Sequence, residues 1–504
     1  MFSKNLSKFL VFFLVIGIAS CSTENSLENT GNYLSTTDSY SPSNLGNSPE
    51  DLYGEQGEQY NEYIENNFIP VSEQAVSTFS VDADGASYSN TRRFLNNGLL
   101  PTNGAVRIEE LINYFPLDYV SPSGNHPISL NGEISSCPWT PGHKLVRIGI
   151  QGEHIPKEEL LPSNIVLLID VSGSMGADNR LNLLKQGFNL LVDGFDQDDK
   201  IAIVTYASEN KLVLEATSGN EKNKIKDAIN GLGSGGGTAG AAGIETAYEI
   251  ATANFVEGGN NRVIIGTDGD FNIGASSTEE LVAMIEEKRE LGIFITVLGV
   301  GNNNYNDGML EQIANNGNGT YEYIDHINQA QKVFVEDFGK FYTVAKDVKV
   351  QIEFNPEIVE SYRLIGYENR LLNQEDFEDD EKDAGEIGAG QNITALYEII
   401  PVEDGDIVNL EALTIDFRYK LPNQDQSSPI ALSIKDLGKS FEEASENHRF
   451  TSSVAGFGMM LIDSKYKGNL SYNDLVNWVN GSRSFDPNGH RTELASLIEL
   501  AESL

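Results

Sequence analysis

The sequence predicts an α/β chain: a mostly parallel sheet with helices on both faces, flanked by a β-rich, sandwich-like region and short helical segments. Three observations predict it. Over 161–345, apolar runs suited to buried strands alternate with amphipathic runs of helical period. Over 127–151 and again after 346, apolar residues come in strand-length runs parted by polar turns. The apolar run 165–169 leads straight into Asp170-Val171-Ser172-Gly173-Ser174, a polar cluster at the end of a strand otherwise fit for a core.

The chain starts with a short stretch carrying Lys4 and Lys8, an apolar run over 9–18, then Ile18-Ala19-Ser20-Cys21. A charged start, a short apolar segment and small residues before a cleavage point describe a secretory signal, because a spanning helix needs about 20 apolar residues. The small pair before Cys21 resembles a bacterial lipobox, with Ile18 where leucine is commoner. The resemblance implies a lipoprotein signal peptide over 1–20, cleavage before Cys21 and acylation of its thiol. Cys137, the other cysteine, is then left without a disulfide partner in the same molecule. Residues 21–65, rich in Ser, Asn, Thr, Gly and Glu, hold too little apolar material to offset their ordering entropy and are expected to form a flexible tether.

With 34 basic against 75 acidic side chains the net charge is −41, which repels phosphate backbones and excludes nucleic acid as a partner.

An N-terminal flanking domain is expected over 66–160, helices then strands. A strand over 78–81 precedes helices over 86–96 and 106–114. Asp82-Ala83-Asp84-Gly85 invites a calcium-loop reading, but an EF-hand needs a bidentate carboxylate at its twelfth position and Arg93 stands there. Capping of the first helix by Asp84 or Ser87 is the better explanation. The strands of 127–151 are broken at Pro138 and at Pro141-Gly142.

In the central segment, strands are expected over 165–169, 200–206, 211–215, 262–266, 293–300 and 320–324, with helices over 181–195, 223–232, 239–255, 278–291 and 308–314. Such sheets bind ligands where loops leave the carboxyl ends of strands. Three loops qualify: the one holding Asp170, Ser172 and Ser174, the glycine-rich loop that ends at Thr238, and the strand end carrying Asp268. These five residues offer hydroxyls and carboxylates without imidazole or thiolate. Oxygen ligands select hard cations, Mg²⁺ first, with Mn²⁺ or Ca²⁺ as alternatives, and an octahedral Mg²⁺ keeps waters that an external carboxylate can replace.

"DVSGSM", the later loop threonine and the later "TDG" resemble the metal-ion-dependent adhesion site of von Willebrand factor type A (VWA) domains, whose fold is Rossmann-like. The resemblance implies direct ligation by Ser172, Ser174 and Thr238, with Asp170 and Asp268 acting mainly through water, and a protein partner whose Asp or Glu completes the shell. Beyond this domain, "FSVDADGASYSNTRRFLNNGLLP", "VRIEELINYFPLDY" and "TALYEIIP" resemble the bacterial YfbK-type VWA proteins and their characteristic flanking regions.

The C-terminal flanking domain, 346–504, is expected to be β-rich and then helical. Its strands, over 348–354, 360–365, 393–400, 413–419 and 429–435, are expected to pair with those of 127–151, placing the VWA domain (161–345) between two parts of one β-sandwich. Helices follow over 450–462 and 492–504, and the helix-like 327–345 would join the VWA domain to the sandwich. The acidic run 375–386 is expected to be a solvated loop.

Catalysis finds little support. The histidines are scattered, with no HExxH and no paired His/Cys spacing, no GxSxG frames a serine, and "GSGGGTAG" lacks the Lys-Ser/Thr ending of a phosphate loop. The leading expectation is a lipid-tethered binding module of the cell envelope that captures a protein carboxylate through a divalent metal. The alternatives are an envelope scaffold or assembly factor with a structural metal, and a hydrolase with its site in the flanking regions. By resemblance to proteobacterial lipoproteins, Ser22 after the acylated cysteine points to the outer membrane.

Overall fold

The computed structural model describes residues 57–504 apart from 82–83, 239, 270–277, 304, 383 and 404–408. The signal peptide, Cys21 and the tether as far as residue 56 lie outside the described residues.

The central sheet has the order Tyr321–Ile324, Ile293–Val300, Asn260–Thr267, Ser163–Asp170, Lys200–Tyr206, Asn210–Ser218. All neighbours are parallel except the last pair, which is antiparallel. Ser163–Asp170 is buried along its whole length, and its alternate side chains enter different cores. Ile165, Leu167 and Ile169 pack with Leu184, Phe188 and Ile225. Val166 and Leu168 pack with Ile244, Tyr248, Leu281 and Leu310 from the helices of the other face. Burial on both faces is why this strand is continuously apolar.

Two antiparallel sheets form the flanking sandwich. One runs Ile69–Pro70, Val359–Ile365, Asn392–Pro401, Lys144–Gly152, Ile128–Ser136; the other runs Leu371–Leu372, Val76–Ser80, Thr343–Phe354, Glu411–Lys420, Ser428–Lys435, with Gly385–Gly388 beside Thr343–Phe354. Both mix strands from before and after the central sheet: Gln151 faces Asn392, and Val350 faces Phe79 on one side and Phe417 on the other. Phe354 stacks on Tyr362 and meets Tyr397 edge-on between the two sheets. A separate core around Trp139, Phe115, Phe450 and Leu494 gathers helices Ala86–Asn96, Ile108–Asn113, Glu446–Leu461, Tyr472–Asn480 and His490–Glu502.

Several expectations are corrected. The segment from Glu58 to Glu65 is docked rather than loose: Gln59 bridges to Asn306, Glu58 pairs with Arg93, and Glu65 accepts from Ser464 Oγ at 2.5 Å. A few polar residues with buried partners outweigh a polar average. Neither Asp84 nor Ser87 caps the first helix, whose N-cap is Gly85. Asp84 instead accepts the Tyr321 N–H at 2.7 Å, fastening this helix to the central sheet, while Ser87 Oγ donates to Ala105 O at 2.8 Å. The stretch after residue 326 is not one helix. It is Ile327–Gln331, a π turn over Lys332–Glu336 and a 3-10 turn over Phe338–Phe341, leading into the strand Thr343–Phe354. Asp337, bonded to both Lys332 and Lys340, and Gly339 sit at the break. The acidic run is solvated, with Glu375, Glu378, Asp379 and Glu381 exposed, but it is more ordered than a plain loop: it contains a 3-10 turn, Gln374–Phe377, with a capping box between Asn373 and Asp376, and ends in the strand Gly385–Gly388. The unexpected helix Tyr472–Asn480 is capped by Ser471, which accepts from Asp474 N.

Candidate metal centre

Asp170 ends its strand fully buried, where the chain leaves the sheet. Its Oδ1 accepts the Ser172 N–H at 2.8 Å, and its Oδ2 accepts from Thr267 Oγ1 at 3.2 Å. These bonds aim the carboxylate at the turn that follows. Ser172 Oγ and Ser174 Oγ lie 3.0 Å apart on that turn.

The glycine-rich loop docks on the same turn through two backbone hydrogen bonds: Gly235 N–H donates to Val171 O at 2.8 Å and Gly173 N–H to Gly236 O at 3.1 Å. Gly236 has φ +91°, and a Cβ there would stand 2.8 Å from Ser208 Oγ, so the close approach needs glycine. Ser208 Oγ also accepts the Gly237 N–H at 2.7 Å. Thr238 follows, half-buried, just ahead of the helix Gly240–Ala253.

Asp268, fully buried, comes one residue after the strand Asn260–Thr267. Arg180 meets it: Nη1 donates to Asp268 Oδ2 at 2.6 Å and to Ser174 O at 2.7 Å, and Nη2 donates to Asn302 O. Burial pushes the Asp170 carboxyl up to about 6; the Ser172 hydrogen bonds oppose this, and the charge of Asp268 adds to it. Tyr206, buried beside Asp170, is held well above its ordinary value by burial and then by the Asp170 charge.

Among the described residues no three His, Cys, Asp or Glu side chains are grouped to hold a metal. The donors here are of another kind, two carboxylates and serine hydroxyls, and they fit a hard cation. Adjacent ligands of an octahedral Mg²⁺ at about 2.05 Å stand about 2.9 Å apart, and the two serine oxygens, at 3.0 Å, match that edge. Asp170, Ser172, Ser174 and Asp268 are joined by this hydrogen-bond network, and Thr238 is reached through its docked loop. Thr267, Ser208 and Arg180 were not singled out from sequence. Thr267 stands in the quoted "TDG", whereas nothing local marks Ser208 or Arg180.

Comparison with known proteins assigns the scaffold. Residues 164–336 match the family described as "von Willebrand factor type A domain", residues 339–504 "Uncharacterized protein YfbK, C-terminal", and residues 54–147 "von Willebrand factor". Over 469 residues the chain is 40% identical to "Uncharacterized protein YfbK" of Escherichia coli (strain K12), covering 88% of this chain and 81% of that protein. The chain belongs to the YfbK family. A second relative, "Uncharacterized protein sll0103" of Synechocystis, is 26% identical over 199 residues, 40% of this chain and 46% of that protein. Among solved structures, the von Willebrand factor type A protein from Catenulispora acidiphila is 16% identical, covering 75% of this chain and 90% of that one at a TM-score of 0.43. In this YfbK-family chain the central sheet is the VWA domain, and antiparallel β-rich sheets flank it.

Proposed function

We propose that this YfbK-family protein is a binding module of the cell envelope that captures a carboxylate of a protein partner through a divalent cation held by Asp170, Ser172, Ser174, Thr238 and Asp268. The observation that carries the reading is the 3.0 Å pair of serine oxygens set beside two buried carboxylates at strand ends. A bound cation would supply Lewis acidity toward the partner's carboxylate. The chain's own residues do the rest. Asp170 orients the serine turn through the Ser172 N–H, and the glycine loop that leads to Thr238 is docked on that turn by backbone hydrogen bonds. Export and lipid anchoring through Cys21, at the outer membrane, belong to the same proposal.

The scaffold alternative, in which a metal only holds loops in place, is disfavoured because Arg180 already ties the Ser174 and Asn302 loops through their carbonyls. Among the described residues the hydrolase alternative has one hydrogen-bonded serine–histidine pair to offer, Ser135 Oγ and His448 Nε2 at 2.9 Å. Both residues are buried, and burial and then the Arg147 charge hold His448 down to about 3, too weak a base to activate a hydroxyl.

The test is calorimetric titration of the mature chain with Mg²⁺, Mn²⁺ and Ca²⁺, beside Asp170→Ala, Asp268→Ala and Ser172→Ala, each checked by circular dichroism. The serine variant is included because Asp268→Ala also strands Arg180. Saturable binding lost in all three folded variants is expected; folded wild-type protein that binds none of the metals would overturn the proposal.

A further inference from the structure

We infer that Arg180 is the charge-setting residue of the VWA site: its guanidinium neutralises Asp268, so that a bound divalent cation leaves the centre with net positive charge and a demand for an anionic partner. This rests on the metal reading above.

Arg180 reaches the site from the turn Asp178–Asn182, immediately ahead of the helix Leu183–Gly194. Its side chain is 9% exposed and that of Asp268 fully buried. Nη1 is shared between Asp268 Oδ2 and the Ser174 carbonyl, and Nη2 is held by the Asn302 carbonyl. The stem lies against Gly301, where a Cβ would stand 2.5 Å from Nε, so a larger residue there would push the guanidinium away. Two carbonyls from two loops thus fix the fork, and among the described residues the carboxylate of Asp268 is its ion-pair partner. Arginine does not deprotonate in proteins, so this charge is permanent.

Among the described residues, the carboxylates of Asp170 and Asp268 and the Arg180 guanidinium sum to a single net negative charge at the serine turn, and a divalent cation converts it to a single net positive charge. Without Arg180 the same cation would be neutralised by its own protein. Arg180 therefore weakens metal binding and strengthens the hold on an external carboxylate. Removing it should move the two affinities in opposite directions, whereas a residue that merely shaped the loops would weaken both when removed.

The experiment titrates Mn²⁺ into the mature chain and into Arg180→Gln and Arg180→Lys, with and without acetate as the carboxylate probe, following the melt of each by circular dichroism. By linkage, a carboxylate that joins the metal tightens Mn²⁺ binding. Wild type is expected to bind Mn²⁺ more tightly when acetate is present. Arg180→Gln is expected to bind Mn²⁺ about tenfold more tightly than wild type without acetate, given the charge removed at close range, and to lose most of the acetate effect. Arg180→Lys, which keeps the charge, is expected to behave as wild type. Equal or weaker Mn²⁺ binding by folded Arg180→Gln, with wild type binding normally, overturns this inference alone; failure of wild type to bind Mn²⁺ overturns the metal reading and this with it. Should Arg180→Gln lose its cooperative melt, Arg180→Lys decides: retained Mn²⁺ affinity with the acetate effect intact supports the charge role, and a drop in either overturns it.

Discussion

Arg107 and Asp307 share an ion pair at 2.5 Å although they belong to different parts of the chain, the helical N-terminal flank and a helix of the VWA domain. Both side chains are buried. Arg107 also donates to Glu110, and Tyr321 donates to Asp307 Oδ1 at 2.9 Å, so the pair joins the flank to the edge strand of the VWA sheet. Removing one partner of a buried pair leaves the other charges uncompensated, which costs about 3–5 kcal/mol. Arg107→Met is therefore expected to lower the stability of the whole chain by that amount, read from its urea midpoint. A loss well below this would show that water reaches Glu110 and Asp307.

Glu58 fastens the N-terminal segment close to the proposed metal site. Its carboxylate accepts from Arg93 at 2.9 and 3.1 Å, from Tyr60 at 2.9 Å and from the Asn303 N–H at 3.3 Å, while Gln59 donates to Tyr305 O and accepts from Asp307 N–H. The carbonyl of the neighbouring Asn302 is one of the two that hold Arg180. Glu58→Ala should speed hydrogen exchange of the Asn303 and Asp307 amides by about tenfold or more, with the amides of Ser163–Asp170 unaffected. Unchanged exchange at Asn303 would mean that the loop holds its shape without this segment.

Legibility in the sequence followed the range of the interactions involved. The strand Ser163–Asp170 was readable because burial on both faces demands unbroken apolar character, and Asp170, Ser172 and Ser174 because their relation is local. Arg180 was not, since an arginine ahead of an amphipathic helix is ordinary until Asp268, distant in sequence, is brought against it. Glu58 was hidden by its surroundings: a polar composition describes the average residue, and one buried carboxylate barely changes it. Over 327–341 helical periodicity was present, yet the three phenylalanines Phe334, Phe338 and Phe341 pack against Phe188, Phe195 and each other, and Asp337 gathers two lysines, an arrangement a regular helix does not provide. The helix Tyr472–Asn480 had a signal in Ser471 and Asp474, a cap pattern short enough to pass for a turn.

Glu322 gives the fold a pH dependence of definite sign. Burial raises its carboxyl to about 7, against the opposing charges of Lys340 and Lys332. The folded state therefore holds a proton that the unfolded state releases near pH 4.5, so this group's effect on stability worsens as pH rises from about 4.5 to 7 and is constant above. Glu322→Gln removes the cost. Its stability relative to wild type should be near zero difference at pH 4.5 and grow to roughly 2–3 kcal/mol in favour of the variant above pH 7. A difference independent of pH would show that Glu322 does not change its protonation on folding.

Gly269, the residue after Asp268, ties the backbone of the proposed site to the loop that Arg180 and Glu58 also hold. It sits at φ +85°, and a Cβ there would stand 2.7 Å from Asn306 N and 3.0 Å from Tyr305 Cα, backbone atoms that cannot swing aside. Gly142 is a matched control, since at φ +88° it has nothing within 4 Å of the added Cβ. Left-handed backbone alone costs a non-glycine residue about 1–2 kcal/mol, which is the loss expected of Gly142→Ala. Gly269→Ala should lose more than this in a thermal melt, because the clash must be relieved by moving either Asp268 or the 305–306 backbone. If Asp268 moves, its bond to Arg180 at 2.6 Å is disturbed and Mn²⁺ affinity changes as well; if the 305–306 backbone moves, Gln59 loses its hydrogen bond at 2.8 Å to Tyr305 O. Measuring the melt, Mn²⁺ affinity and Gln59 amide exchange in both variants separates these routes. Equal losses in the two variants, with both readouts unmoved, would mean that the approach of Gly269 to residues 305 and 306 constrains neither loop.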